Sequence, residues 1–193
     1  QTINSFCFML PVGCSIAGSA RIGTALGAGD VCGADLAARV SVGSGFLLSV
    51  LLGSILFFTP HHLIPSLFSP DQAVVNETSK LIPLLSIYVI GDGIQSTLNG
   101  IIKACGRQCL IMPIVIIAYW LIGAPLGYFF AFVRQEGIMC EDTLECGVTG
   151  LVSGLTVGTW VHMLLLAILV AGTTNWKSEA RKARERNEFN ESR

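Results

Sequence analysis

The chain has 193 residues, of which 52% are hydrophobic and 13% charged, and its formal net charge at pH 7 is −1. Soluble domains carry about 25% charged residues, so this composition excludes a soluble domain, a disordered chain and a coiled coil. It indicates an integral membrane protein, and the lack of excess positive charge gives no support to nucleic acid as a partner.

Five stretches are long and apolar enough to cross a bilayer, which takes about 20 predominantly apolar residues. Backbone groups in the bilayer must be satisfied within the segment, so these stretches are predicted to be helices. The predicted spans are 3–26, 40–59, 76–102, 109–132 and 148–173. The predicted fold class is an all-α helical membrane bundle, in which residues 1–176 are followed by a polar tail at 177–193.

The connectors carry residues that end helices. The Gly-Ala-Gly-Asp run at 27–30 is predicted to end the first helix, because glycine readily adopts the left-handed conformation found after helix C-termini. Pro60, Pro65 and Pro70 interrupt the second connector, and Ser69-Pro70-Asp71 is predicted to start the third helix.

Small residues recur every four positions in two of the spans, which predicts close packing between helices. These residues are Ser41, Gly45, Ser49 and Gly53 in the second span, and Gly150, Gly154 and Gly158 in the fifth.

Lysine and arginine are distributed unevenly around the spans. Ten of the twelve basic residues fall on one side, and only Lys80 and Arg134 fall on the other. Basic residues favour the cytosolic side, so the tail at 177–193 is predicted to be cytosolic. The chain starts at Gln1 inside an apolar run, and an odd number of spans puts this start outside the cytosol. We therefore expect the chain to be the C-terminal part of a longer protein.

Asp92 is the one charged residue between Lys80 and Lys103. At 1.5 Å per residue it lies about 16–18 Å from each of these lysines, near the middle of a hydrocarbon core about 30 Å thick. A carboxylate there costs about 2.5–3.5 kcal/mol on insertion scales, which indicates a function or a paired partner. Helical spacing places it on one polar face, which is predicted to line a wet cavity or the bundle interior. That face comprises Tyr88, Asp92, Gln95, Ser96, Asn99 and Lys103.

A carboxyl group at this depth is able to hold a proton in one state and a cation in another. We therefore predict that substrate or proton binds at Tyr88, Asp92, Gln95, Ser96 and Asn99. The alternative is a structural hydrogen bond between Asp92 and another helix. The expected coupling ion is a proton, with sodium as the alternative, and no other cofactor is expected.

Cys140 and Cys146 lie in an acidic loop predicted to face outward, where a disulfide or two free thiols both fit the sequence. The cysteine and histidine spacings do not predict a metal site. The motifs of serine hydrolases, zinc proteases and phosphate-binding loops are absent, so we do not expect an enzyme.

Two segments resemble signatures of the MATE (multidrug and toxin extrusion) transporters. Residues 20–30, Ala-Arg-Ile-Gly-Thr-Ala-Leu-Gly-Ala-Gly-Asp, are similar to R-[IV]-G-N-x-L-G-A-G, and residues 103–108, Lys-Ala-Cys-Gly-Arg-Gln, to R-G-x-G-x-Q. Thr24 and Lys103 depart from these patterns. Asp92 stands where eukaryotic members carry an acidic residue in the tenth helix. The motif positions are Arg21, Gly23, Gly27, Gly29, Lys103, Gly106 and Gln108.

The resemblance implies a twelve-helix, two-lobe fold, of which this chain is the C-terminal portion with helices eight to twelve. It implies a secondary active antiporter that exports organic cations, xenobiotics or metabolites in exchange for protons, in the plasma membrane or a vacuole-like membrane. The expected partners are membrane lipid, the missing N-terminal lobe and a small organic substrate. The alternatives are a lipid-linked flippase of the same superfamily and a structural or regulatory membrane module that transports nothing.

Overall fold

The computed structural model describes residues 2–133 and 147–191 of the chain. Five helices in these residues are long and apolar enough to cross a membrane, which confirms the predicted helical membrane bundle. A short helix, α3, lies in the second connector, and a polar helix, α7, follows the last span. The helices are α1 Thr2–Gly27, α2 Val31–Phe58, α3 Leu63–Phe68, α4 Gln72–Ala104, α5 Gln108–Val133, α6 Val148–Thr173 and α7 Trp176–Glu191.

A tight turn joins α1 to α2 where the sequence predicts a helix end. Gly29 has a φ of 76°, a left-handed conformation that strains any residue with a Cβ atom. Asp30 then caps α2, since its Oδ1 accepts a hydrogen bond of 2.9 Å from the backbone N–H of Gly33. The glycine run therefore ends one helix, and the aspartate after it begins the next.

Two helices begin earlier than the apolar spans suggest. α2 begins at Val31 rather than at residue 40, and it continues through an ion pair of 2.8 Å between Arg39 and Asp35. α4 begins at Gln72 rather than at residue 76, because the Asp71 side chain caps its first turn. A stretch without charges marks the part of a helix that fits the bilayer, whereas the caps determine where the helix starts.

The small residues of α2 are buried against α1 and α4, as their spacing predicts. A Cβ atom added at Gly45 would lie 2.1 Å from Oγ1 of Thr97, and one added at Gly93 would lie 2.0 Å from Oγ of Ser49. Since neither glycine has room for a side chain, α2 and α4 approach closely. α4 is the central helix, because α1 and α2 pack on it from one side and α6 from the other.

α5 is wider than a regular α-helix in two stretches, Ile116–Gly123 and Phe129–Val133. In the first stretch the backbone N–H of Ala124 donates to the carbonyl of Tyr119, five residues earlier. Such π-helical turns are often found at functional sites. α5 also packs tightly on α6, because a Cβ atom added at Gly154 would lie 2.3 Å from the Gly127 backbone.

The polar helix α7 packs against one end of the bundle, where α1 and α4 end and α2 begins. We call this the basic end, because it carries most of the lysines and arginines. Ala180 of α7 belongs to a buried cluster that includes Ile22, Ala34 and Ile101. Beside this cluster the Arg107 guanidinium donates to the Glu179 carboxylate, whose side chain is 1% exposed. α7 therefore joins the ends of three long helices.

Candidate substrate and proton site

Asp92 lies in the middle of the central helix α4, and it is 8% exposed. The glycines on either side of it allow neighbouring helices to approach. A Cβ atom added at Gly91 would lie 3.2 Å from Nε1 of Trp160 on α6, while Gly93 contacts Ser49 on α2. The backbone that carries Asp92 is thus held between α2 and α6.

No hydrogen bond reaches the Asp92 carboxyl group from the described residues 2–133 and 147–191. This finding does not support the alternative of a structural hydrogen bond to another of these helices. Tyr88 lies on the same face, four residues or about one helical turn before Asp92. The carboxyl group can therefore accept a ligand without breaking a hydrogen bond to these residues.

A cleft of about 490 Å³ lies between α1, α4 and α6, in the half of the bundle away from the basic end. Asn4, Ser5 and Tyr88 contribute polar groups to its lining, whereas Leu81 and Leu155 represent its apolar majority. Tyr88 belongs both to this cleft and to the polar face of Asp92. An apolar cleft with a few polar groups is typical of sites for small organic molecules.

The predicted polar face of α4 does not line a single cavity. Gln95 is directed toward α5, where its Oε1 accepts a hydrogen bond of 3.2 Å from the Tyr119 hydroxyl. Ser96 is buried where α1 packs on α4, and its backbone carbonyl accepts from Ser15 at 2.7 Å. Asn99 lies inside the bundle, and its Oδ1 has no hydrogen-bond partner among the described residues. Gln95 thus lies on the α5 side of α4, whereas Ser96 lies at the contact with α1.

Three polar residues of this region were not among the predicted site residues. Tyr119 on α5 and Thr159 on α6 are linked, since their hydroxyl oxygens lie 3.1 Å apart. The ring of His162 on α6 packs edge-on against that of Tyr119, with centroids 5.5 Å apart. One signal was available, because His162 continues the small-residue face of Gly154 and Gly158.

The motif residues at 20–30 and 103–108 lie at the basic end and not beside Asp92. Gly29 and Gly106 have φ angles of 76° and 70°, so these glycines make the turns that follow α1 and α4. Arg21, Lys103 and Gln108 are exposed there. The motifs therefore shape the helix connections. Cys140 and Cys146 lie outside the described residues.

Comparison with known proteins identifies the family. The MatE family model matches residues 1–129. Protein DETOXIFICATION 36 and Protein DETOXIFICATION 4 of Arabidopsis thaliana are 31% and 36% identical over 186 and 182 residues. These alignments cover 96% and 93% of this chain but 35% of each relative. This chain therefore spans about a third of the length of the relatives it matches.

The helical bundle also matches a solved structure. The crystal structure of the eukaryotic MATE transporter AtDTX14 has a TM-score of 0.84 with this chain, at 33% identity. The match covers 96% of this chain and 39% of that chain. Together with the family match, it shows that the chain belongs to the MatE family and is of the eukaryotic type.

Proposed function

We propose that this chain is part of a secondary active antiporter that exports organic cations, xenobiotics or metabolites in exchange for protons. One observation carries the proposal, namely that Asp92 lies buried at the middle of α4 without a hydrogen-bond partner in the described residues. Ionisable residues inside membranes are costly, and they mark ion and substrate pathways. Family membership supports the same class of activity.

Exchange at Asp92 follows from the cost of its charge. An ionised carboxylate in the membrane interior costs about 2.5–3.5 kcal/mol, and either a bound proton or a bound cation offsets this cost. Both ligands occupy the same carboxyl group, so the binding of one favours the release of the other. Tyr88 adds an aromatic ring on the same face, which is a group that attracts organic cations.

The cleft next to Tyr88 fits the proposed substrates. Its volume of about 490 Å³ lies within the usual range of about 300–1,000 Å³ for small-molecule sites. The apolar lining suits the hydrocarbon part of an amphipathic cation, while Asp92 suits its charge. A cation in this cleft would have its apolar part toward α1 and α6 and its charge toward α4.

The proposal reaches beyond this chain, because the relatives are about three times as long. We expect an N-terminal lobe of the same protein to form the other wall of the cavity and to rock against this one. We expect the basic end, with α7, to lie in the cytosol, because basic residues are enriched on the cytosolic side of membrane proteins. The plasma membrane and a vacuole-like membrane both fit this orientation.

The test uses the full-length protein reconstituted into liposomes with an acidic lumen. Uptake of radiolabelled tetraethylammonium is measured for the wild-type protein, for Asp92→Asn and for the control Asp35→Asn. Asp35 is a suitable control, because it loses the same charge but only a surface ion pair with Arg39. We expect Asp92→Asn to abolish uptake driven by the pH gradient and Asp35→Asn to retain most of it.

Three outcomes would count against the proposal. Proton-driven uptake that persists in well-expressed Asp92→Asn would refute the role of Asp92. Uptake driven by a sodium gradient but not by a pH gradient would replace the proton with sodium as the coupling ion. A wild-type protein that moves no substrate but forms a stable complex would favour the structural or regulatory module.

A further inference from the structure

The hydrogen bonds of Tyr119 connect three helices in the bundle interior. Its hydroxyl donates to Oε1 of Gln95 on α4 at 3.2 Å and lies 3.1 Å from Oγ1 of Thr159 on α6. Tyr119 itself lies on the first widened stretch of α5. One hydroxyl group on an irregular helix thus contacts the helix that carries Asp92.

The Tyr119 hydroxyl has one hydrogen and two neighbouring acceptors. Thr159 directs its own hydroxyl hydrogen to the Leu155 carbonyl at 3.1 Å, which leaves its oxygen able to accept. Tyr119 therefore donates to Gln95 or to Thr159, but not fully to both. The Gln95 carboxamide oxygen has two lone pairs, and donation to Thr159 instead leaves both of them able to accept from a ligand.

His162 holds the Tyr119 ring in place. The two rings pack edge to face at 81°, and His162 is 2% exposed. The ring nitrogens of His162 have no hydrogen-bond partner in the described part of the chain, so its contact with Tyr119 is one of ring packing. The adjustable part of Tyr119 is then the direction of its hydroxyl hydrogen.

A released Gln95 oxygen is placed to contact a ligand bound at Asp92. Gln95 is half-buried and follows Asp92 by three residues, about one helical turn, on the same polar face. Its oxygen can accept a hydrogen bond from the N–H group of a protonated amine. A quaternary ammonium ion has no N–H group, and it gains nothing from this acceptor.

We propose that Tyr119 is a specificity-determining residue that controls how strongly the Gln95 oxygen accepts a hydrogen bond from a protonated amine. Thr159 is the competing acceptor that draws the Tyr119 hydroxyl away from Gln95. The inference rests on the proposed function, since it assumes an organic cation at Asp92. It predicts that the site distinguishes protonated amines from quaternary ammonium ions.

The experiment measures binding to the full-length protein in detergent at a fixed pH of 7.5. Radiolabelled tetraethylammonium is displaced by unlabelled tetraethylammonium or by triethylammonium. Triethylammonium has a hydrogen atom on nitrogen in place of one ethyl group. The readout is the ratio of the two dissociation constants. A general packing defect changes both constants together and leaves this ratio unchanged.

Three variants are expected to move the ratio in defined directions. Tyr119→Phe frees Gln95 and strengthens triethylammonium binding relative to tetraethylammonium by about twofold to tenfold, the range for one hydrogen bond. Thr159→Val leaves Tyr119 on Gln95, and it weakens triethylammonium binding by a similar factor. Gln95→Leu also weakens it, and adding Tyr119→Phe to that variant then has no effect on the ratio.

The control is His162→Phe, which keeps an aromatic ring against Tyr119 and is expected to change both constants equally. A ratio that moves in the same direction in Tyr119→Phe and Thr159→Val overturns the inference, as does a ratio that does not move. The proposed function has its own test, because transport that survives Asp92→Asn refutes it whatever the ratio shows.

Discussion

The ion pair between Arg107 and Glu179 makes a testable prediction about how α7 is attached. Arg107 lies in the turn after α4, and its side chain is 22% exposed, compared with 1% for Glu179. Arg107→Leu removes the cation and leaves a buried carboxylate that retains Lys182, at 3.2 Å, as a partner. The expected consequence is that α7 separates more often from the bundle.

The magnitude follows from the burial of the pair. Removing one partner of a buried ion pair costs about 3–5 kcal/mol, and the remaining contact with Lys182 favours the lower value of about 3 kcal/mol. A factor of ten corresponds to about 1.4 kcal/mol, so the opening of α7 should become about 100-fold more frequent. Hydrogen exchange of the backbone amides at 176–185 in the full-length protein measures this opening directly.

Two further variants test the reasoning. The double variant Arg107→Leu with Glu179→Leu removes both charges, and it is expected to restore much of the protection, because an apolar pair leaves no buried charge unpaired. Arg181→Leu breaks an ion pair of 3.7 Å with Glu185, both well exposed, and should change exchange by less than about fivefold. Unchanged exchange in Arg107→Leu, or a double variant as open as the single one, would show that packing alone holds α7.

The remaining predictions concern pH and packing. Burial raises the pKa of Glu179, but the hydrogen bonds and charges of Arg107 and Lys182 lower the pKa by a larger amount. The pKa of Glu179 therefore lies below the ordinary value of 4.5. Protection of α7 from hydrogen exchange, corrected for intrinsic rates, should therefore be constant above pH 4.5 and fall as the pH drops through the lowered pKa of Glu179. A loss of protection near pH 6 would contradict this prediction. Gly154→Ala places a Cβ atom 2.3 Å from the Gly127 backbone, whereas the control Gly172→Ala, in the same helix, has open space. The first should destabilise the detergent-solubilised protein by about 1–3 kcal/mol in thermal unfolding and the second should have little effect, whereas equal effects would refute the close contact.

The membrane spans could be predicted from the sequence because a helix needs about 20 predominantly apolar residues to cross a bilayer. Asp92 interrupts one of these apolar runs, so its depth and its importance could be argued from position alone. The start of α2 at Val31 was not readable in the same way, since the ion pair of Arg39 with Asp35 continues the helix beyond the apolar span. Hydropathy therefore locates the part of a helix that crosses the membrane, whereas local capping and ion pairs determine where the helix begins and ends.

The hydrogen bonds around Asp92 could not be read from the sequence, because packing determines which faces meet. Helical spacing placed Ser96 beside Gln95, yet α1 covers Ser96 while Gln95 reaches Tyr119. Tyr119 belongs to an otherwise apolar run, and Thr159 occupies a small-residue face, so neither stood out as functional. Their contact depends on the close approach of α5 to α6 and on the widened turns of α5.

The central helix α4 separates two tasks along its length. At its end Gly106 and Arg107 shape the connection to α5 and hold α7, whereas at its middle Asp92 and Gln95 carry the proposed chemistry. Twelve residues of helix separate Asp92 from the helix end at Ala104, which is about 18 Å. Changes at such a distance, without shared partners, usually combine additively. We therefore expect the family motifs to govern whether this lobe assembles, and the polar contacts near Asp92 to govern what it binds. Relatives with the same motifs can then differ in substrate through positions such as Tyr119 and Thr159.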